Sequence, residues 1–345
     1  MAQAAATTAD RRTVGSSLAG RIFNVTGIYG IAILFLALGA LLQATGVIHR
    51  FLTPENMLNI VNAATMVGIV AAGMAFVTYS GNFADMSVPT TMGFTGYICI
   101  ALLRFGFVPA IVGAVVVALL IGLLNGFAVG KLKANPIIWT LAVNYMTMGI
   151  IRLVWVNKQI YPDMQQGVGT GTVALFDDIY RYRLFGTIGL PIVILALMVA
   201  AGQFVLTKTS FGARLKLIGS SLRAAKFTGI HVERLVATAF VLSAFAAAIA
   251  GLAVTSLTRV GAWYNGTGYD FMAVTVVVIG GVTLAGGRGS ILGVLGGALI
   301  IGILNNITTL LGIGTFSQNM IRGAIFIIVV GINAKSLRSL GRDDA

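Results

Sequence analysis

The stretch Ile111–Gly126, IVGAVVVALLIGLLNG, recurs 180 residues later as Ile291–Asn306, ILGVLGGALIIGILNN. Eight of the sixteen positions are identical: Ile111/Ile291, Gly113/Gly293, Ala118/Ala298, Leu119/Leu299, Ile121/Ile301, Gly122/Gly302, Leu124/Leu304 and Asn125/Asn305. Two apolar segments built from few residue types match easily by chance, but here the glycines and an asparagine match as well. Lys131 and Lys133 follow the first copy, whereas Arg288 precedes the second. Membrane proteins keep Lys and Arg on one side of the bilayer, so the two copies are expected to cross it in opposite directions. Inverted repeats of this kind build transporters, with the path near the repeat interface.

The rest of the chain agrees. Of its 345 residues 57% are hydrophobic and 10% charged, and the mean hydropathy is +0.95. A soluble domain is about 45–50% apolar and about 25% charged. Apolar runs of about 20 residues span a bilayer, and ten are expected, near 28–46, 60–79, 88–104, 107–130, 137–155, 186–206, 236–257, 270–284, 290–311 and 318–333. The 44 glycines suit closely packed membrane helices. The expected fold is therefore an all-α polytopic membrane protein, with spans 2–5 and 7–10 as inverted repeats. A tail over 1–27, a permease domain over 28–335 and a tail over 336–345 are expected. Ten spans leave both termini on one side. If that side is the cytoplasm, fifteen of the 23 Lys and Arg lie inside, which favours cytoplasmic termini. The polar start, MAQAAATTADRRTVGSS, has no early apolar core and does not read as a cleaved signal peptide, nor are Arg11-Arg12 read as a twin-arginine signal.

Several function classes drop out. The formal charge of +13 lies in short connections between apolar runs, which is the membrane bias and not a nucleic-acid surface. Cys99 is the only cysteine, and His49 and His231 are far apart, so neither a disulfide within the chain nor a metal site is expected. No nucleophile has a base nearby in sequence, there is no HExxH, and GFAVGKL lacks phosphate-loop spacing. If nucleotide drives this protein, another chain hydrolyses it. An ion-coupled carrier needs carboxylates at membrane depth. Asp85 and Asp270 are the candidates, both at span ends, and the only glutamates, Glu55 and Glu233, flank spans. The amides and hydroxyls within spans are Asn62, Asn125, Asn144, Asn305, Asn306, Thr140 and Thr147. They suit an uncharged polyhydroxy solute, or they bond helices to one another.

One segment interrupts the apolar pattern. GSSLRAAKFTGIHVERL, Gly219–Leu235, places Arg223, Lys226, His231, Glu233 and Arg234 between two long apolar runs. Ser220 or Ser221 caps a short helix of about eight residues, roughly 12 Å long, and Gly229 ends it. Leu222, Ala225 and Gly229 share one face by spacing, and Arg223 and Lys226 another. Such a helix either lies on anionic headgroups or docks into a partner.

This segment, with GYDFMAVTVVVIGGVTLAGGRGSILGVLGGALIIGIL farther on, resembles the permeases of ribose-type sugar ATP-binding-cassette (ABC) importers, in the branched-chain amino acid and ribose permease superfamily. Their pattern runs Gly-x-Asn-x-x-Ala-Ala-x-x-x-Gly-Ile, then Gly-Tyr-x-x-x-Ala, Val-Ile-Gly-Gly and Gly-Gly-x-Gly-Ser; Ser221 stands here for the asparagine. The resemblance covers roughly 50–335, and Gly268–Ser290 is its most specific part. It implies a monosaccharide importer permease acting by alternating access. Its implied partners are a soluble ATPase, a periplasmic binding protein, a second permease chain, identical or not, and membrane lipid. The chain itself would bind no cofactor, ATP and magnesium belonging to the ATPase. The implied coupling residues are Ser220, Ser221, Leu222, Arg223, Ala224, Ala225, Lys226, Phe227, Gly229 and Ile230. A nucleoside importer on a related scaffold and an ion-coupled carrier are the alternatives.

The stretch SGNFADMSVPTTMGF, Ser80–Phe94, departs from the same family's Gly-Gly-Ile-Asp-Leu-Ser-Val-Gly. Asp85, Ser87 and Val88 match, but Asn82 and Phe83 replace the glycines, Met86 the leucine and Pro89 the last glycine. The residues expected along the solute path are Asn82, Phe83, Asp85, Met86, Ser87, Asn125, Asn144, Asn305 and Asn306. The competing expectation for 81–89 is a cytoplasmic turn that only joins two helices.

Overall fold

The computed structural model describes residues 25–340, with side chains through residue 331. The tail residues 1–24 and 341–345, with Arg11, Arg12, Arg21 and Arg342, lie outside that range. Apolar sequence and helix-start chemistry set most elements. Helix α1 is Val25–Ala44. Helix α2, Pro54–Tyr79, starts on a Thr53 cap with proline in its first turn, six residues before the expected span. Then come α3 (Val88–Leu102), α4 (Phe107–Gly130) and α5 (Pro136–Val154), the last capped by Asn135. Between α5 and α7 stand two elements that the apolar pattern does not show. One is α6, Thr170–Arg181; the other is a hairpin, β1 (Arg183–Leu184) with β2 (Ile188–Gly189). Helix α7 is Leu190–Lys208, followed by α8 (Ser210–Ser220) and the short α9 (Leu222–Phe227). The last four are α10 (Val232–Thr258), α11 (Tyr269–Ile279), α12 (Ile291–Leu310) and α13 (Thr315–Leu340).

Among the described residues, eight helices are long and apolar enough to cross a membrane. The other two expected spans are shorter. Helix α11 has 11 residues because Gly280 and Gly281, the latter at φ 78°, end it five residues early. In α13 the apolar part is Thr315–Gly331, and the helix itself continues through 336–340, where a tail was expected.

The repeat extends well beyond sixteen residues. Helices α10, α11, α12 and α13 start 178, 181, 184 and 179 residues after α2, α3, α4 and α5. The packing follows the same exchange: α10 lies on α4 and α2 lies on α12, while α2 and α10 also cross each other. Glycines allow these contacts. A Cβ at Gly126 would meet the Ala237 backbone at 2.5 Å, and one at Gly302 would meet Ile60 O at 2.8 Å. Helix α4 ends beside Glu233, at the end of the bundle that also holds Gly219, Ser220 and Gly287. Helix α12 starts from that same end, so the two copies run in opposite directions. We call this end, with Lys131, Lys133 and the 208–231 segment, the basic end; the other is the far end.

Helices α2, α3, α10 and α12 form the inside of the bundle, whereas α1, α4, α5 and α7 keep most of their apolar surface exposed. Ile33, Leu34, Leu41, Leu153, Leu197 and Phe204 are all bare. In water such a surface would aggregate; in a bilayer it meets hydrocarbon.

Candidate functional site

Helix α2 ends at Tyr79, at the basic end, but the chain does not turn there into a full span. Residues 82–85, in neither helix nor strand, run back into the bundle, and α3 starts only at Val88. Depth follows from α10 alongside. Ser243, which donates to Asp85, is 11 residues into α10, about 16 Å from its start at 1.5 Å per residue. Met92 lies against Gly251, 19 residues in, about 28 Å up. The 80–87 segment is therefore broken backbone inside the bundle and not a surface turn. Irregular backbone at membrane depth persists where protein buries it or where it lines a cavity.

Side chains from three helices hold this segment. Asp85 is fully buried and makes no ion pair among the described residues. Its Oδ1 accepts from Ser87 N at 3.0 Å and Ser87 Oγ at 2.6 Å, and its Oδ2 accepts from Ser243 Oγ at 3.0 Å. Asn125 on α4 donates from Nδ2 to Ser87 Oγ at 2.8 Å. Thr140 on α5 accepts from Met86 N at 2.9 Å, and Asn144 accepts from Thr90 Oγ1 at 2.8 Å. Asn125 Oδ1 and Trp139 Nε1 are buried without hydrogen-bond partners among the described residues. Proline at 89 fits the first turn of α3, where the missing N–H costs nothing. Pro89 also touches Gly266, where a Cβ would meet Pro89 O at 2.2 Å, so the connection between α10 and α11, residues 259–268, packs on the start of α3.

The path residues expected from sequence thus divide. Asp85, Met86, Ser87, Asn125 and Asn144 come together. Asn82 bonds only locally, to Ser80 Oγ, and Phe83 is half-buried against the core, its carbonyl accepting from Thr78. Asn305 and Asn306 lie in the far half. Asn306 exchanges paired amide bonds with Asn56 at 2.9 and 2.8 Å, and Asn305 accepts from Arg322 Nε at 3.0 Å. Sequence reading missed Ser243, Thr90 and Arg322. An arginine inside an apolar run was the available signal for the last.

The segment Ser220–Ile230 stands at the basic end. Its helix is six residues long, not eight, because Thr228 and Gly229 (φ 73°) turn the chain out. Ser221 caps it, accepting from Ala224 N at 3.2 Å, whereas Ser220 closes α8. Ala225 is buried, but Leu222 faces outward with Arg223 and Lys226, and Phe227 is 91% exposed. The shared face expected for Leu222, Ala225 and Gly229 therefore does not form; only Ala225 anchors the helix. Just before it, three backbones cross. A Cβ at Gly219 would meet Gly287 N and Tyr79 O at 2.3 Å, and one at Gly286 would meet Gly81 N at 2.5 Å. Gly287 N donates to Tyr79 O at 2.9 Å. The end of α8, two residues before the short helix, is thereby in direct backbone contact with the root of the Asp85 segment and with the turn after α11.

Residues 56–330 match the family model of the branched-chain amino acid transport system / permease component. The chain is 33% identical to a ribose import permease of Bacillus subtilis, over 87% of this chain and 92% of that one. It is 29% identical to an L-arabinose ABC transporter permease of Azospirillum brasilense, over 90% and 88%. With a xylose transport system permease of Haemophilus influenzae the identity is 30%, over 84% and 92%. No solved structure gives a significant match.

Proposed function

The chain belongs to the branched-chain amino acid transport system permease family, and from that premise we propose how it works as the membrane subunit of an ATP-driven monosaccharide importer. The basic end faces the cytoplasm and so do both termini, in the bacterial inner membrane, as the Lys and Arg bias favours. A soluble ATPase grips Ser220–Ile230, where exposed Phe227, Leu222, Arg223 and Lys226 offer an apolar knob with a cationic rim. ATP and magnesium are bound on that partner, and this chain contributes no catalytic group. A binding protein delivers solute at the far end, and a second permease chain completes the path.

The observation that carries this reading is the glycine crossing. Gly219, in the last turn of α8 and three residues before the first residue of α9, touches Tyr79 and Gly287 with no side chain between them. Close-packed backbone transmits displacement instead of absorbing it. A shift of α9 therefore moves the root of the 80–87 segment and the turn at 285–287 together, one from each repeat. Alternating access is that paired movement, with Asp85, Ser87 and Asn125 as the hinge and path lining of the cytoplasmic half.

The test is the complete importer with Arg223→Glu and Lys226→Glu combined. Both side chains are exposed, so folding changes by no more than about 0.5 kcal/mol. The expected result is a stable permease that no longer retains its ATPase or no longer transports with it. Wild-type transport by the double variant would return α9 to a helix lying on headgroups.

A further inference from the structure

Arg322 lies apart from both the Asp85 network and the glycine crossing. It sits seven residues into α13, about 10 Å below the far end at 1.5 Å per residue. It lies on the face of α13 turned toward α11 and α12, with half-buried Ile325, Phe326 and Val329, while Met320, Ile327 and Ile328 point outward. It makes no ion pair among the described residues. Instead, neutral amide oxygens surround the guanidinium. Nε donates to Asn305 Oδ1 at 3.0 Å, Nη1 to Asn319 Oδ1 at 2.9 Å and Nη2 to Gln318 Oε1 at 3.2 Å. Gln318 is itself fixed, donating to Ile313 O at 2.8 Å. A guanidinium has five N–H groups, so two remain. The Phe271 and Phe326 rings meet edge to face at 6.1 Å, Phe326 lying one turn from Arg322 on the same face of α13.

A charged side chain at membrane depth marks a solute or ion pathway by default. A carboxylate would neutralise this one; amide dipoles only orient it. Orienting leaves a planar fork aimed in one direction, with an aromatic pair one turn away, which is chemistry suited to a sugar ring and adjacent hydroxyls. We propose that Arg322 contacts the solute directly: its two free N–H groups take vicinal hydroxyl oxygens of a monosaccharide entering from the far end, with Asn305, Asn319 and Gln318 as positioning residues. The proposal rests on the monosaccharide-importer reading.

The test uses the importer reconstituted with its ATPase and binding protein, measuring uptake of D-ribose, D-xylose and L-arabinose together with ATP hydrolysis. Arg322→Lys keeps the charge and its reach to the membrane surface but loses the fork. Losing a bidentate charged contact is expected to lower uptake about tenfold or more while ATP hydrolysis continues, so that more ATP is spent per sugar moved. Asn305→Asp, which ties the guanidinium into an ion pair, should do the same in a permease at least as stable, and it keeps the test open if Arg322→Lys folds poorly. Wild-type uptake by either folded variant would overturn the proposal and leave Arg322 as a helix anchor. A wild-type complex that hydrolyses ATP but takes up none of the three sugars would instead overturn the monosaccharide reading, and the proposal with it.

Discussion

Asn125 and Asn305 are 180 residues apart and occupy the same place in the repeat, yet they anchor opposite chemistry. Asn125 sits in the basic half and donates toward a fully buried network around Asp85, an acid without a base. Asn305 sits in the far half and accepts from half-exposed Arg322, a base without an acid. The repeat supplies equal backbone, and the side chains then specialise it. Counterparts elsewhere diverge in the same way: Thr140, which holds Met86, corresponds by the 179-residue offset of α5 and α13 to Asn319, which accepts from Arg322 instead. The lesson is that the two halves are equivalent as scaffold and unequal as sites: a closed, buried hinge below and an adaptable contact above.

The sharpest way to break this comparison is to remove each charge. Asp85→Ala strands three buried donors, each costing about 1–3 kcal/mol. A loss of at least about 3 kcal/mol is expected in the unfolding of the detergent-purified permease. Arg322→Ala leaves oxygens that water reaches, so about 1 kcal/mol is expected. Equal losses would erase the distinction between hinge and contact.

The glycine crossing ranks next. Gly219→Val places a side chain 2.3 Å from Gly287 N and Tyr79 O, and the overpacking costs about 1–3 kcal/mol. Transport should fall further than stability does, because the crossing links α9 to both repeats; a variant losing stability but transporting normally would remove Gly219 from the coupling route. At the far end, Arg259 pairs with Asp163 at 2.8 Å and Asp177 at 3.1 Å across partly exposed surface. Arg259→Ala should cost no more than about 1 kcal/mol, and the difference should shrink as salt rises. Phe227→Ala is the smallest change for the fold, within about 0.5 kcal/mol, since nothing packs on a ring 91% exposed. Its effect should appear only as weaker retention of the ATPase in pull-down.

Much of the scaffold was legible because apolar length and helix-start chemistry are local signals. Phe107–Gly130 stands where the hydropathy put it, and the expected offset of 180 reproduces four successive helices. What was not legible is of two kinds. Helix α6 is held by long-range contacts, with Ser256 Oγ donating to Phe176 O at 2.8 Å and Phe176 buried beneath it, so no apolar run announces it. In the site, Asp85, Ser87 and Asn125 were named as separate candidates, but their joining depends on residues 82–85 re-entering the bundle. Sequence periodicity carries no information on that depth; Ser243, 158 residues away from Asp85, is visible only once α10 is in place.

The contrast between the two halves stands on the repeats being inverted across the membrane, and cysteine accessibility tests that directly. Single cysteines at Lys133 and Arg288, after Cys99→Ser, should react with an impermeant maleimide only from the cytoplasmic side, while cysteines at Arg104 and Lys158, at the far end, should react only from outside. Labelling of the Arg288 position from outside, with the Lys133 position labelled from within, would place α4 and α12 in the same direction. It would contradict both the inversion and the account built on it.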